Sequence, residues 1–402
     1  MSSPDAPVLF DTLATASGHR FGRATLNTPA SLNALSLAMV DLLDPQLAAW
    51  AADPRIAGVV LDAAGDKAFC AGGDVVALAR EICALHQQQP GAVPQAAADF
   101  FEREYRLDHR IHTYPKPLLV WGHGIVMGGG IGLMAGASHR VATPKTRLAM
   151  PEIGIGLYPD VGGSWLLGRL PGKAGPFLAL TGASINAADA LFAGMADFAL
   201  PHEAHGALLQ AIGQARWQGD QAADGAQLSH LLLRLGEGTA LPASPLRTHL
   251  ERINAVIGHD RLVDIAPRLA ALAQDADPWL AQAGASFVKG SPTSAALGLE
   301  LQRRCRHLSL ADTFRLEWQA SVGCCAHEDF AEGVRALLID KDKAPRWQPA
   351  TLEQVTPQWI EDHPTAGPWL DRLGFFEVYA SPWFSAIYLL LFISLIGCVI
   401  PR

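Results

Sequence analysis

Two carboxylates and three glycine-rich turns are the residues of this chain whose types and spacing could do chemistry. The first turn is Lys67-Ala68-Phe69-Cys70-Ala71-Gly72-Gly73-Asp74, and the second is His123-Gly124-Ile125-Val126-Met127-Gly128-Gly129-Gly130. Each follows a strand-like run and opens a helix-like one. Each therefore presents bare backbone N–H groups at a helix start, where unpaired donors and the helix dipole stabilise negative charge. Two such groups converging on one oxygen would make an oxyanion hole for a thioester carbonyl. The third turn runs from Met150 to Gly163 and sets Glu152 and Asp160 eight residues apart across glycines. Two carboxyls beside a reacting carbonyl can divide the acid, base and nucleophile roles.

Taken singly, each feature has an ordinary reading. A glycine run is commonly a tight turn, and Glu152 or Asp160 alone could cap a helix or sit in solvent. A dinucleotide site is not supported, because Gly122-x-Gly124 and Gly154-x-Gly156 both lack the third glycine of that motif. Cys70 has no assignable partner histidine and reads as a small buried residue. His109, His112, His123 and His139 show no metal-ligand spacing. His123 reads as a structural hydrogen-bonding residue. Lys67 could meet a phosphate or simply be solvated, and the vicinal Cys324-Cys325 read as helix packing.

The elements that must position these residues follow from hydrophobic period. Gly58-Val59-Val60-Leu61, Leu118-Leu119-Val120-Trp121 and Arg147-Leu148-Ala149-Met150 read as strands. Val40, Leu43, Leu47 and Trp50 share a helical face, and the small apolar run from Gly128 to Ala137 reads as a tightly packed buried helix. The alternation predicts an α/β core over residues 1–200. From 201 to 362 the strand signals fade. Leu246, Leu250, Ile253 and Ile257 predict one helix after Ser244-Pro245, and helices are also expected after Ser291-Pro292 and Ser309.

Composition narrows the class. The chain has 402 residues, half of them apolar, which is enough for a large core. A formal net charge of −8 argues against a nucleic-acid partner but leaves room for a locally basic pocket. Six cysteines without CxxC spacing fit a reduced, cytoplasmic setting, and the N-terminus lacks the pattern of a secretory signal.

In combination the motifs are far more specific. Asn33-Ala34-Leu35, KAFCAGGD (67–74), HGIVMGGGIGL (123–133) and MPEIGIGLYPDVGG (150–163) occur in that order. This resembles the crotonase superfamily, whose members fold as repeated ββα units followed by helices and act on acyl-CoA. The resemblance implies an oxyanion hole from the amides of Gly73 and Gly129. Hydratases of the superfamily carry one catalytic glutamate two residues after the glycine triplet, where this chain has Gly132. The 3-hydroxyisobutyryl-CoA hydrolases instead pair Glu152 and Asp160, as placed by the PE…GLYPDVGG run. They also contact substrate through a glutamate in an FFREEY-like run, matched by Glu104 in Phe100-Phe101-Glu102-Arg103-Glu104-Tyr105. Ser291-Pro292-Thr293-Ser294, the run from Asp329 to Asp342 and Pro345-Arg346-Trp347 extend this likeness, which covers about residues 8 to 362.

The resemblance implies hydrolysis of a short β-hydroxyacyl-CoA, as in valine breakdown. Glu152 and Asp160 would be catalytic, and Glu104, Gly129, Glu152 and Asp160 would bind substrate. No metal or redox cofactor is expected, and a homo-oligomer is possible. The alternatives are an enoyl-CoA hydratase or isomerase, and a non-catalytic acyl-CoA-binding protein tethered to a membrane. The tethered reading comes from residues 363–402. Trp383 to Ile400 is an uncharged 18-residue stretch, close to the roughly 20 residues that span a bilayer. With Leu373 to Phe384 it resembles the first membrane segment of ResB-type cytochrome c biogenesis proteins. A natural tail anchor and an accidental join of two reading frames both fit, and the join is favoured.

Overall fold

In the computed structural model, residues 5–258 and 261–355 are described. Those up to Leu352 belong to one compact unit. Its organising pattern is a repeat in which, from β3 to β8, successive strands alternate between two sheets. Strands β1 (Val8–Ala14), β2 (Arg20–Leu26), β3 (Ile56–Ala63), β5 (Leu118–Gly122), β7 (His139–Ala142) and β10 (Phe198–Ala199) form a six-stranded sheet in that spatial order. Strands β4 (Ala68–Cys70), β6 (Ile125–Met127), β8 (Arg147–Ala149) and β9 (Ile185–Asn186) form a second, four-stranded sheet. β1 and β2 are antiparallel, as are β8 and β9, while the other neighbours are parallel. β3 is buried from Ile56 to Asp62, as expected of a parallel strand covered on both faces.

The repeat decides where the site lies. β4, β6 and β8 are adjacent and parallel, with Cys70 opposite Val126 and Met127 opposite Ala149. Their ends are therefore side by side, and each is followed by one of the three turns seen in the sequence. After β4 comes helix α2 (Val75–His86), capped by the Asp74 side chain. After β6 comes α4 (Gly129–Ala135), and after β8 a short 3-10 turn, Glu152–Ile155. Two other helices frame the site. α1 (Leu37–Ala52) buries Val40, Leu43, Leu47 and Trp50, and α3 (Gln95–His112) runs between α2 and β5 in the chain.

Asn33 shows how the first turn is braced. Its buried side chain donates to the carbonyls of Ala64 and Ala68, both at 3.0 Å, and accepts from Thr28 N–H at 2.8 Å. Leu35 then pairs beside Gly73: Leu35 N–H donates to Gly72 O and Asp74 N–H donates to Leu35 O. These two bonds flank Gly73 and leave its own amide outside the pairing.

Past Ala199 every regular element of the described residues is helical. The helices expected at Ser291-Pro292 and Ser309 are Pro292–Cys305 and Leu310–Ala326, each with the serine side chain as N-cap. Cys324 and Cys325 are buried in the latter. The single helix expected after Ser244 is two, Pro245–Thr248 and Leu250–Ile257, broken at His249 (φ −101°, ψ 9°). Apolar spacing continued across the break because Leu246, Ile253 and Ile257 still reach one core. Among the described residues no helix is long and apolar enough to cross a membrane. The 383–400 segment lies outside the described residues.

Candidate active site

Gly128 opens the site. It adopts φ 46° and ψ −121°, a conformation that needs glycine, and it ends β6 so that Gly129 becomes the first residue of α4. The amide of a first helical residue has no intrahelical acceptor. A methyl built on Gly129 would lie 3.4 Å from the Gly73 nitrogen and 2.5 Å from Glu104 Oε1. The two turns thus approach closely, with a buried carboxyl from α3 at their junction. A methyl on Gly128 would lie 2.9 Å from Glu152 Oε1. Glu152, Glu104 and both glycine turns therefore meet at one place.

Both glutamates are buried, and Glu152 Oε2 and Glu104 Oε1 have no hydrogen-bond partner among the described residues. Burial, followed by the charge of Asp160, holds each carboxyl well above the usual range. These acceptors are not consumed by the fold.

Asp160 is fixed differently. Tyr105, one residue after Glu104 on α3, donates its hydroxyl to Asp160 Oδ2 at 2.7 Å. Tyr158 donates to the main-chain carbonyl of Glu317 at 2.6 Å. Ser321 lies 2.7 Å from the Tyr105 oxygen and 2.9 Å from that of Tyr158, so its proton serves one of these phenols. Burial pushes the Asp160 carboxyl up to about 6, against the pull of the Tyr105 hydrogen bond. Replacing Tyr105 by Phe removes a bond that favours the ionised form. The acid limb set by the Glu152–Asp160 pair is then expected about one pH unit higher, read from kcat/KM against pH. A limb left at its wild-type pH would mean that Tyr105 only packs.

The backbone after Asp160 is strained and clamped. Val161 has φ 51°, rare for a β-branched residue. Gly163 N–H donates to Asp160 O at 2.6 Å. From the Leu310–Ala326 helix, the buried Glu317 carboxylate accepts from Gly162 N–H at 2.6 Å and Ser164 N–H at 2.9 Å. Burial nonetheless pushes Glu317 up to about 8.

Glu317, Tyr105 and Ser321 were not singled out by sequence reasoning, nor was Asp108, a fully buried acid on α3. Glu317 and Ser321 are more than 150 residues away along the chain from the residues they hold. Tyr105 and Asp108 left a signal, one and four residues after Glu104.

The remaining candidates take no part in the hydrogen bonds that hold Glu152 and Asp160. Cys70 is buried, its thiol pushed up to about 12 by burial, as an inert packing residue requires. His123 Nε2 bonds to the carbonyl of Gly65 at 2.8 Å. Lys67 lines a cavity of about 350 Å³ with Pro29, Leu32, Asn33 and Asp66. Among the described residues no group of three or more His, Cys, Asp or Glu side chains is arranged to hold a metal ion.

Comparison with known proteins gives the family. The family profile described as enoyl-CoA hydratase/isomerase matches residues 21–363. The chain belongs to this family. Within the enoyl-CoA hydratase/isomerase family, it is 39% identical over 346 residues to a mitochondrial 3-hydroxyisobutyryl-CoA hydrolase of Gallus gallus, covering 85% of each chain. It is 35% identical over 343 residues to that of Homo sapiens, again 85% of each. Among solved structures, it superposes on a carnitinyl-CoA dehydratase from Mycobacterium thermoresistibile with TM-score 0.76 and 37% identity, over 89% of this chain and 96% of that one. An enoyl-CoA hydratase from Rhodobacter sphaeroides 2.4.1 gives 0.73 and 34%, with the same coverage. A ResB-like family profile matches residues 346–402. This second match overlaps the first over residues 346–363.

Proposed function

We propose that this chain hydrolyses a short β-hydroxyacyl-CoA thioester, 3-hydroxyisobutyryl-CoA first, to the free acid and CoA. The observation that carries the reading is the placement of Glu152. It is a buried carboxyl with one unpartnered oxygen, set against the glycine turn of α4 beside Asp160. The 35% and 39% identity to named hydrolases over 85% of each chain supports the same substrate.

In this reading the thioester oxygen lies between the amides of Gly73 and Gly129, which stabilise the charge that develops as the carbonyl is attacked. Glu152 either attacks the carbonyl carbon or takes a proton from a water that does. Both routes add one water overall, break the carbon–sulfur bond and return a proton to the thiolate. Asp160, held by Tyr105, shares that proton traffic. The pair works with one proton between its two carboxyls, since both ionised together in a buried site would be costly, and Glu152 acts in the form in which that proton rests on Asp160. Glu104 faces the same place and would bind the acyl hydroxyl. Nothing is oxidised or reduced, so the reaction calls for no redox group.

Hydration is the second reading, suggested by the dehydratase and hydratase among the similar solved structures. Gly132 offers no side chain for the usual acid–base pair. The test is free-thiol release by the purified full chain from 3-hydroxyisobutyryl-CoA, isobutyryl-CoA and crotonyl-CoA. Release from the hydroxyacyl thioester is expected. Loss of the conjugated enoyl absorbance of crotonyl-CoA without thiol release would establish a hydratase. Tight binding without turnover would establish a non-catalytic binder. Cell fractionation tests the membrane-tethered form of that last reading separately.

A further inference from the structure

Helices α3 and α4 meet along two matched stripes. On α3 these are Glu104, Asp108 and His112, and facing them are Gly129 and Gly132 on α4 and Gly136, the residue that caps its C-terminus. A methyl on Gly129 would lie 2.5 Å from Glu104 Oε1, one on Gly132 2.7 Å from Asp108 Oδ2, and one on Gly136 2.5 Å from the His112 ring. Each glycine makes room for one polar side chain of α3. Asp108 thus occupies the space where a side chain of residue 132 would begin. It is fully buried, and neither of its oxygens has a hydrogen-bond partner among the described residues.

The structure assigns Asp108 the part of a positioning residue: its carboxyl fills the space opposite Gly132 and holds Glu104, one turn ahead, against the first turn of α4. The assignment rests on the hydrolase reading for the role of Glu104. Asp108 does this as a neutral acid. The titratable groups that face it are Glu104 and His112 on α3, Cys70 at the end of β4, Asp160 after the 3-10 turn, and Glu317 on the Leu310–Ala326 helix. None is a cation at neutral pH, because burial pushes His112 down to about 4. An ionised carboxylate among buried acids, with no donor, is far costlier than a protonated one. Burial, then the charges of Glu104, Asp160 and Glu317, accordingly hold Asp108 well above the usual carboxylate range.

The sign of the stability effect follows from linkage. The folded chain keeps a proton that the unfolded chain releases near pH 4. The wild-type contribution is therefore full below that pH and declines as pH rises toward the folded value. Asp108→Asn keeps the shape and does not titrate. The melting temperature of Asp108→Asn minus that of wild type is expected to climb steadily between pH 5 and pH 8. A difference that does not change with pH would overturn the neutral acid.

Positioning is read from kinetics. Asp108→Asn should keep kcat and KM for 3-hydroxyisobutyryl-CoA within about threefold of wild type. Asp108→Ala, which empties the space, should raise that KM about tenfold, the scale of one hydrogen bond. It should leave the inhibition constant of isobutyryl-CoA, which has no hydroxyl for Glu104, unchanged. Equal weakening of both thioesters, or of neither, would overturn the assignment. If wild type released no thiol from any acyl-CoA, the hydrolase reading would fail and positioning with it, while the melting series would still decide the protonation of Asp108.

Discussion

Glu152→Gln is expected to lower kcat at least ~100-fold while leaving the fold intact, the scale for losing a general base or nucleophile. β8 runs beside β6, and its end delivers Glu152 to the glycine turn before α4. One carboxyl oxygen abuts Gly128, and the other has no partner among the described residues. A glutamine keeps this shape but can neither attack a carbonyl nor take a proton. It also removes an acid that burial holds well above its usual range. By linkage such an acid costs stability as pH rises, so the variant should melt no lower than wild type at pH 7. Thiol release and a melting curve on the same preparation make the check. Near-normal turnover would refute the role of Glu152, and a collapsed melting curve would show a structural role instead.

How far the sequence carried this site depends on what each residue answers to. Gly73, Gly129, Glu152 and Asp160 stand in short runs whose strand–turn–helix context is local, and β4, β6 and β8 need only be adjacent for those runs to converge. The burial of Val40, Leu43, Leu47 and Trp50 was legible for the same reason, because period 3.6 records a single buried face. The break at His249 was not, since Leu246 and Ile253 reach one core from two helices and the spacing is preserved across the kink. Glu317 was illegible in another way. On a helix, a glutamate between Leu316 and Trp318 looks like any solvated charge. Only the fold shows it buried with its carboxylate on the amides of Gly162 and Ser164. Gly132 was read as a missing acid, and its space is in fact filled from α3 by Asp108.

That substitution of one helix's side chain for another's says something about how the site tolerates so many acids. Glu104, Asp108, Glu152, Asp160 and Glu317 are all buried, yet their environments differ. Asp160 has a phenol donor and Glu317 has two amides, whereas Glu104, Asp108 and Glu152 each keep at least one unpartnered oxygen. Groups of one chemical type are separated by their hydrogen bonds into an acid that gives up its proton near pH 6 and others that keep theirs longer. An enzyme adding water to a thioester needs such a division, because one carboxyl must accept a proton while another returns one.

Gly129→Ala is expected to lower kcat/KM at least ~100-fold, the loss typical of removing one oxyanion donor. Backbone amides cannot be deleted by substitution, so the donor pair has to be obstructed instead. The new methyl would lie 3.4 Å from the Gly73 nitrogen, and in the proposed mechanism it crowds the gap where the thioester oxygen would meet both amides. It would also press on Glu104 Oε1, 2.5 Å away, and displace it. The fold should not suffer in proportion. Gly129 is the first residue of α4, and alanine is the better helix former by up to about 1 kcal/mol. Gly154 supplies the control, because it lies in the 3-10 turn carrying Glu152 and a methyl there meets nothing within 4 Å. Gly154→Ala should stay within about twofold of wild type, the range of a surface change without a named mechanism. If Gly129→Ala and Gly154→Ala turned over 3-hydroxyisobutyryl-CoA equally well, the thioester oxygen would have to bind somewhere other than between Gly73 and Gly129.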